Sequence, residues 1–105
     1  MSISGKWELI ADTSMGVHNL TLTLKKNENK VSGELAGYLG TATFDDGVIE
    51  DDNLVWTITT KPMGKPITLN CSAKFEGDKI IGKMIAPIGL GLQSEYEFTG
   101  SYLGA

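Results

Sequence analysis

One histidine, one cysteine, three tyrosines and two tryptophans are the side chains of this chain best suited to chemistry. Histidine is the residue type suited to proton transfer near neutral pH, and His18 could act as a general base with Asp12 or Tyr38 as its orienting partner. Tyr96 and Tyr102 share the apolar phase of their segment, and Tyr38 sits in a Gly-flanked stretch. Phenols held in apolar surroundings need hydrogen-bond partners, so they could orient a carbonyl or hydroxyl. His18, Tyr96 and Tyr38 are therefore the candidate catalytic set of a cofactor-free isomerase, cyclase or lyase. The competing role for His18 is a hydrogen-bonded rim residue, and for the tyrosines ordinary core aromatics. Cys71 has no nearby histidine in sequence and no helix N-terminus to lower its pKa, which predicts an inert buried thiol. Asp45-Asp46 and Glu50-Asp51-Asp52 do not follow the alternating spacing of a calcium loop, and one Cys with one His cannot make a zinc site. No metal and no cofactor are expected.

The charge pattern excludes further classes. Net charge is −4, carried against nine lysines and no arginine spread along the chain, so a nucleic-acid or anionic-membrane binder is not expected. The longest apolar stretch, 80–92, contains Lys83 and is too short to span a bilayer. The N-terminus lacks a basic region followed by an apolar one, and a single cysteine excludes an internal disulfide; together these predict a cytoplasmic protein.

The elements that must position these residues are strands. No window holds a helical apolar stripe free of Gly, Pro or β-branched runs, whereas Leu20-Thr21-Leu22-Thr23-Leu24, Leu54-Val55-Trp56-Thr57-Ile58 and 67–75 alternate with period two. Polar clusters separate the runs, among them Asn27-Glu28-Asn29, Asp51-Asp52-Asn53 and Glu76-Gly77-Asp78. The spacing predicts strands at 4–12, 18–26, 30–38, 41–50, 53–60, 66–75, 79–86 and 94–103. Asp45-Asp46-Gly47 is expected to be a bulge inside the fourth. Shifting the chain by 49 superposes Trp7 on Trp56, Leu20 on Leu69, Lys30 on Lys79 and Gly33 on Gly82, so a four-strand duplication is expected, with pseudo-repeats at about 1–52 and 53–105 of a single 1–105 domain.

Eight antiparallel strands in one small chain would leave two unpaired edges if they stayed open. Closure into an all-β, eight-stranded up-and-down barrel removes both. Gly5-Lys6-Trp7 resembles the Gly-x-Trp that opens the first strand of the calycin-type barrels, the lipocalins, fatty-acid-binding proteins and avidins. Phe98-Thr99-Gly100-Ser101-Tyr102 is similar to an avidin-type strand. The resemblance implies the barrel; the biotin-binding side chains of avidins are not matched.

In a meander, alternate loops share an end. One end collects 25–30, 50–53 and 76–79, which are tight and charged. The other collects 13–17, 37–40, 61–66 and 86–93, rich in Met, Gly and Leu. Apolar side chains on loops are costly in water, so the second end is the expected mouth, although the same residues could plug the barrel or meet another subunit. The expected function is binding of a small, mainly apolar organic ligand in the lumen. Its predicted contacts are Met15, Leu39, Met63, Ile88, Leu90 and Leu92 at the mouth, with Trp7, Trp56 and Met84 below. A structural, oligomer-forming barrel is the remaining alternative. Gly33 and Gly82 are expected to mark strand bends rather than to open a cavity.

Overall fold

Period-two alternation, punctuated at one end by two-residue polar turns, drives the chain into a single antiparallel meander. The computed structural model describes residues 3–13, 16–37, 40–60, 66–89 and 91–104, with the backbone path alone for 13, 60, 88, 89 and 92. Among them are β1 (Gly5–Thr13), β2 (Gly16–Asn27), β3 (Lys30–Gly37), β4 (Gly40–Glu50), β5 (Asn53–Thr60), β6 (Ile67–Glu76), β7 (Lys79–Gly89) and β8 (Leu92–Gly104). Each strand pairs with its sequence neighbours, and β1 pairs with β8, so the sheet closes as an eight-stranded up-and-down barrel, with no helix among the described residues. No helix among the described residues is long and apolar enough to cross a membrane.

The three turns at the charged end are alike. Their first residues, Glu28, Asp51 and Gly77, lie at φ of 58°, 55° and 62°, the left-handed region that a tight two-residue connection demands. The expected bulge is present. Val31 faces Gly47 while Gly33 faces Phe44, so β4 carries one more residue than β3 between those pairs. At the other end, the chain expected to loop over 86–93 instead continues the β7–β8 ladder. Ala86 pairs with Ser94 and Pro87 with Gln93, with a register shift just beyond the proline, whose nitrogen cannot donate to a ladder.

Two layers of aromatic rings fill the core. The lower holds Trp7 against Phe75 and Tyr102, with ring centroids 5.1 and 5.0 Å apart. The upper holds Trp56 stacked on Phe44 at 5.5 Å and edge-on to Phe98 at 6.4 Å. Glycine makes the upper layer possible. A Cβ on Gly33 would lie 2.2 Å from the Thr23 carbonyl oxygen and 2.8 Å from Phe44; one on Gly82 would lie 2.4 Å from the Ser72 oxygen and 2.5 Å from Phe98. The space left by each glycine is thus taken by a phenyl ring from the next strand.

One contact recurs 49 positions apart: Gly33 and Gly82 meet the backbone oxygens of Thr23 and Ser72. Two turn carbonyls with the same spacing, Asn29 O and Asp78 O, accept from Ile49 N and Tyr102 N, both at 2.9 Å. Closure at the base is sealed by the N-terminal segment. Tyr102 Oη donates to Ser4 O at 2.7 Å, and Lys26 N donates to Ser4 Oγ at 3.0 Å.

Candidate functional site

Strand register decides which candidate residues share the lumen. Trp56 pairs with Cys71, Cys71 with Met84 and Met84 with Tyr96, so one inner row across β5–β8 carries three of the predicted residues. His18 pairs with Ala11 and Ala11 with Phe98, which sets His18 two strands from β8, one inner position below the level of Tyr96. His18 is half-buried on the inner face, in phase with Leu20, Leu22 and Leu24. Asp12 is exposed and alternates to the outer face beside Glu97, so it cannot orient His18.

Trp7 stands apart from that row. It is completely buried in the base layer, and its indole Nε1 donates to Ile3 O at 2.9 Å. The Tyr102 hydroxyl is committed to Ser4 O and is unavailable as an orienting group. Met15, Tyr38, Leu39, Met63 and Leu90 lie outside the described residues, as do the side chains of Ile88 and Leu92; the backbone of the last two belongs to β7 and β8 rather than to a loop.

Burial changes along the inner wall. At the base Trp7, Leu22, Leu54 and Ile80 are 0% exposed. One inner step or more toward the other end, Leu20, Leu35, Ala42 and Leu69 pack on the core while only half-buried, and Tyr96 is half-buried as well. Ala11, Ile58 and Ala86 stay buried on the intervening strands, so the wall loosens on β2–β4, β6 and β8. The two main depressions among the described residues, about 470 and 430 Å³, lie instead on the outer wall around Val55, Ile81 and Lys83 and around Ile10 and Thr99; none of the predicted site residues lines them.

No polar or charged residue among the described residues is fully buried. Burial, reinforced by the nearby Asp46 carboxylate, pushes the Cys71 thiol up to about 12, so it stays protonated and unreactive at neutral pH. Among the described residues no group of three or more His, Cys, Asp or Glu is placed to hold a metal ion.

Phe44 and Ile49 belong to this core although strict alternation does not reach them. The extra residue at Asp45-Asp46 resets the phase, so Phe44 and Gly47 both point inward. The signal that finds Phe44 is the repeat itself, since Gly33 pairs with Phe44 as Gly82 pairs with Phe98.

No protein-family model matches the chain, and no curated protein matches it.

Proposed function

We propose that the barrel binds a small, mainly apolar organic molecule inside its upper half, entering at the Met-, Gly- and Leu-rich end. The observation that carries this reading is the gradient of the inner wall. Base positions are sealed, whereas Leu20, Leu35, Ala42, Leu69 and Tyr96 above them present half-exposed apolar surface toward the lumen. Apolar area left accessible on a concave wall is area that an apolar guest can cover, gaining roughly 25 cal/mol per Å² of surface removed from water. Kinship with the calycin-type barrels and a cytoplasmic location belong to the same proposal. They are supported by the closed meander, by Gly5-Lys6-Trp7 at its start and by one buried, unpaired thiol. Catalysis by His18 with Tyr96 is the second reading, favoured by their common placement on the inner wall.

The test is uptake of the neutral fluorophore N-phenyl-1-naphthylamine by the full chain. Saturable one-to-one binding is expected, lost in Ala42→Phe, whose ring would fill the lumen where the wall is loose, while the circular dichroism of the variant stays that of the barrel. Absence of saturable binding, or uptake unchanged in Ala42→Phe, overturns the proposal. Light scattering of the same samples separates it from the oligomer alternative, which would use exposed Ile10, Val55 and Ile81 on the outer wall.

A further inference from the structure

The two tryptophans occupy corresponding places, yet only one has its indole N–H satisfied. Trp7 Nε1 donates to the carbonyl four residues earlier, Ile3 O, at 2.9 Å. The carbonyl four residues before Trp56 is that of Asp52, and it already accepts from Phe75 N at 2.9 Å. In the first half the amide corresponding to Phe75, that of Lys26, is held by the Ser4 hydroxyl at 3.0 Å, which leaves Ile3 O for the indole. The hairpin that joins β4 to β5 offers no such substitute. Trp56 is 3% exposed, and no acceptor among the described residues lies within hydrogen-bond distance of its Nε1.

A buried donor without a partner is costly and is rare in folded proteins. Phe44 and Phe98 pack on Trp56, Cys71 pairs beside it, and Met84 and Tyr96 continue the same inner row across β7 and β8. An indole N–H can only donate, so the missing partner must be an acceptor. The setting favours a neutral one. Trp56 packs on Phe44 and Phe98, no acidic or basic residue among the described ones is fully buried, and the half-buried His18 stands two strands beyond Phe98, so an anion beside Trp56 would lie in a mainly apolar setting.

We propose that the Trp56 indole N–H is the anchoring donor of the lumen, and that the ligand is an apolar molecule bearing one uncharged acceptor oxygen, a ketone, ester or amide carbonyl. The inference rests on the ligand-binding reading and sharpens it. Met84, unbranched and one strand beyond Cys71 on the same row, supplies the adaptable wall that lets a carbonyl reach the nitrogen.

The experiment uses the full chain with 15N-labelled indoles and three probes of one shape: 2-acetylnaphthalene, its hydrocarbon isostere 2-isopropenylnaphthalene, and 2-naphthoate. The ketone is expected to bind about tenfold more tightly than the hydrocarbon, the difference one hydrogen bond to an otherwise unmet donor makes. It should also bind more tightly than the naphthoate. The Trp56 indole proton should move downfield with the ketone and not with the hydrocarbon, while the Trp7 signal, already bonded to Ile3 O, serves as the fixed reference. In Trp56→Phe the ratio of ketone to hydrocarbon affinity should fall to about twofold or less, whatever loss the smaller ring imposes on both probes alike. Equal binding of ketone and hydrocarbon, an unmoved Trp56 signal, or naphthoate bound as tightly as the ketone overturns the inference and leaves the binding reading standing. Binding of none of the three overturns both.

Discussion

Trp7 and Trp56 stand 49 positions apart in sequence, and the aromatic layers around them end in different states. Below, the indole, the Tyr102 hydroxyl and the Lys26 amide all find partners on the N-terminal segment, and the base is closed. Above, the indole is surrounded by rings and meets no acceptor. The difference comes from covalent continuity. The segment preceding β1 lies across the base and offers both the Ser4 hydroxyl and the Ile3 carbonyl, whereas at the β4–β5 turn the Asp52 carbonyl accepts from the Phe75 amide and not from the indole. Equal patterning thus yields a structural tryptophan in one half and a candidate recognition group in the other.

The strongest way to test the correspondence of the halves is to break the same contact in each. Gly33→Ala and Gly82→Ala both drive a methyl group into a backbone oxygen on the neighbouring strand and into a phenyl ring. A backbone oxygen in a closed sheet cannot step aside as a long side chain can, so each variant is expected to lose about 3 kcal/mol of stability, the upper part of the range for overpacked sites. Urea unfolding measures this directly. A cost confined to one glycine would mean that the two halves are not packed alike.

Exchanging each indole for a phenyl ring sharpens the contrast between the layers. Trp7→Phe removes packing from a completely buried site and strands Ile3 O without its donor, an expected loss of about 2–3 kcal/mol. Trp56→Phe removes packing as well but deletes a donor that had no partner, so its loss should be smaller by about 1–2 kcal/mol. The urea midpoints of the two variants decide it, and equal losses would mean that the Trp56 N–H is satisfied in solution.

Most of the barrel was legible in the sequence because its information is local. Turn clusters such as Glu76-Gly77-Asp78 and alternating runs such as 67–75 specify strands without reference to distant residues, and closure follows from the need to remove edges. Phe44 escaped because one inserted residue reverses the phase of everything beyond it. The reach of β7 and β8 past Pro87 escaped because a proline and several glycines read as a loop, and only the opposing strand makes them a ladder. Asp12 was a reasonable partner for His18 by spacing, but it faces outward, because its neighbour Ala11 takes the inner face beside His18. Trp56, Met84, Tyr96 and His18 lie on the inner wall as their strand phase predicts, but the hydrogen bonding around them was not legible. The Asp52 carbonyl accepts from the Phe75 amide and Trp56 Nε1 meets no acceptor, an outcome of the register between β5 and β6 rather than of any local motif.

A last difference between the halves lies in their seams. The β8–β1 ladder runs from Lys6–Gly104 to Asp12–Glu97, whereas the β4–β5 ladder extends only from Glu50–Asn53 to Val48–Val55. Beyond Val48 the bulge carries β4 on toward Phe44, and the join is made by a side chain. Asp46 accepts from Thr57 N at 3.1 Å and, through its other oxygen, from the Thr57 hydroxyl. Slight burial pushes the Asp46 carboxyl upward, but the hydrogen bonds from the Thr57 hydroxyl and amide outweigh it and hold the group below its ordinary value of 3.8. A carboxylate whose folded pKa is depressed contributes stability above its unfolded pKa and loses it as pH falls through the folded value. The pair is exposed, so the contribution is small, about 0.5 kcal/mol. Thr57→Val should therefore be less stable than the parent by that amount at neutral pH, and the gap should close near pH 2, where the carboxyl is protonated in both states. Urea unfolding at the two pH values reads the difference. A gap that persists in acid would assign the cost to the lost hydroxyl or to the packing of valine, and the seam would then owe nothing to the charge on Asp46.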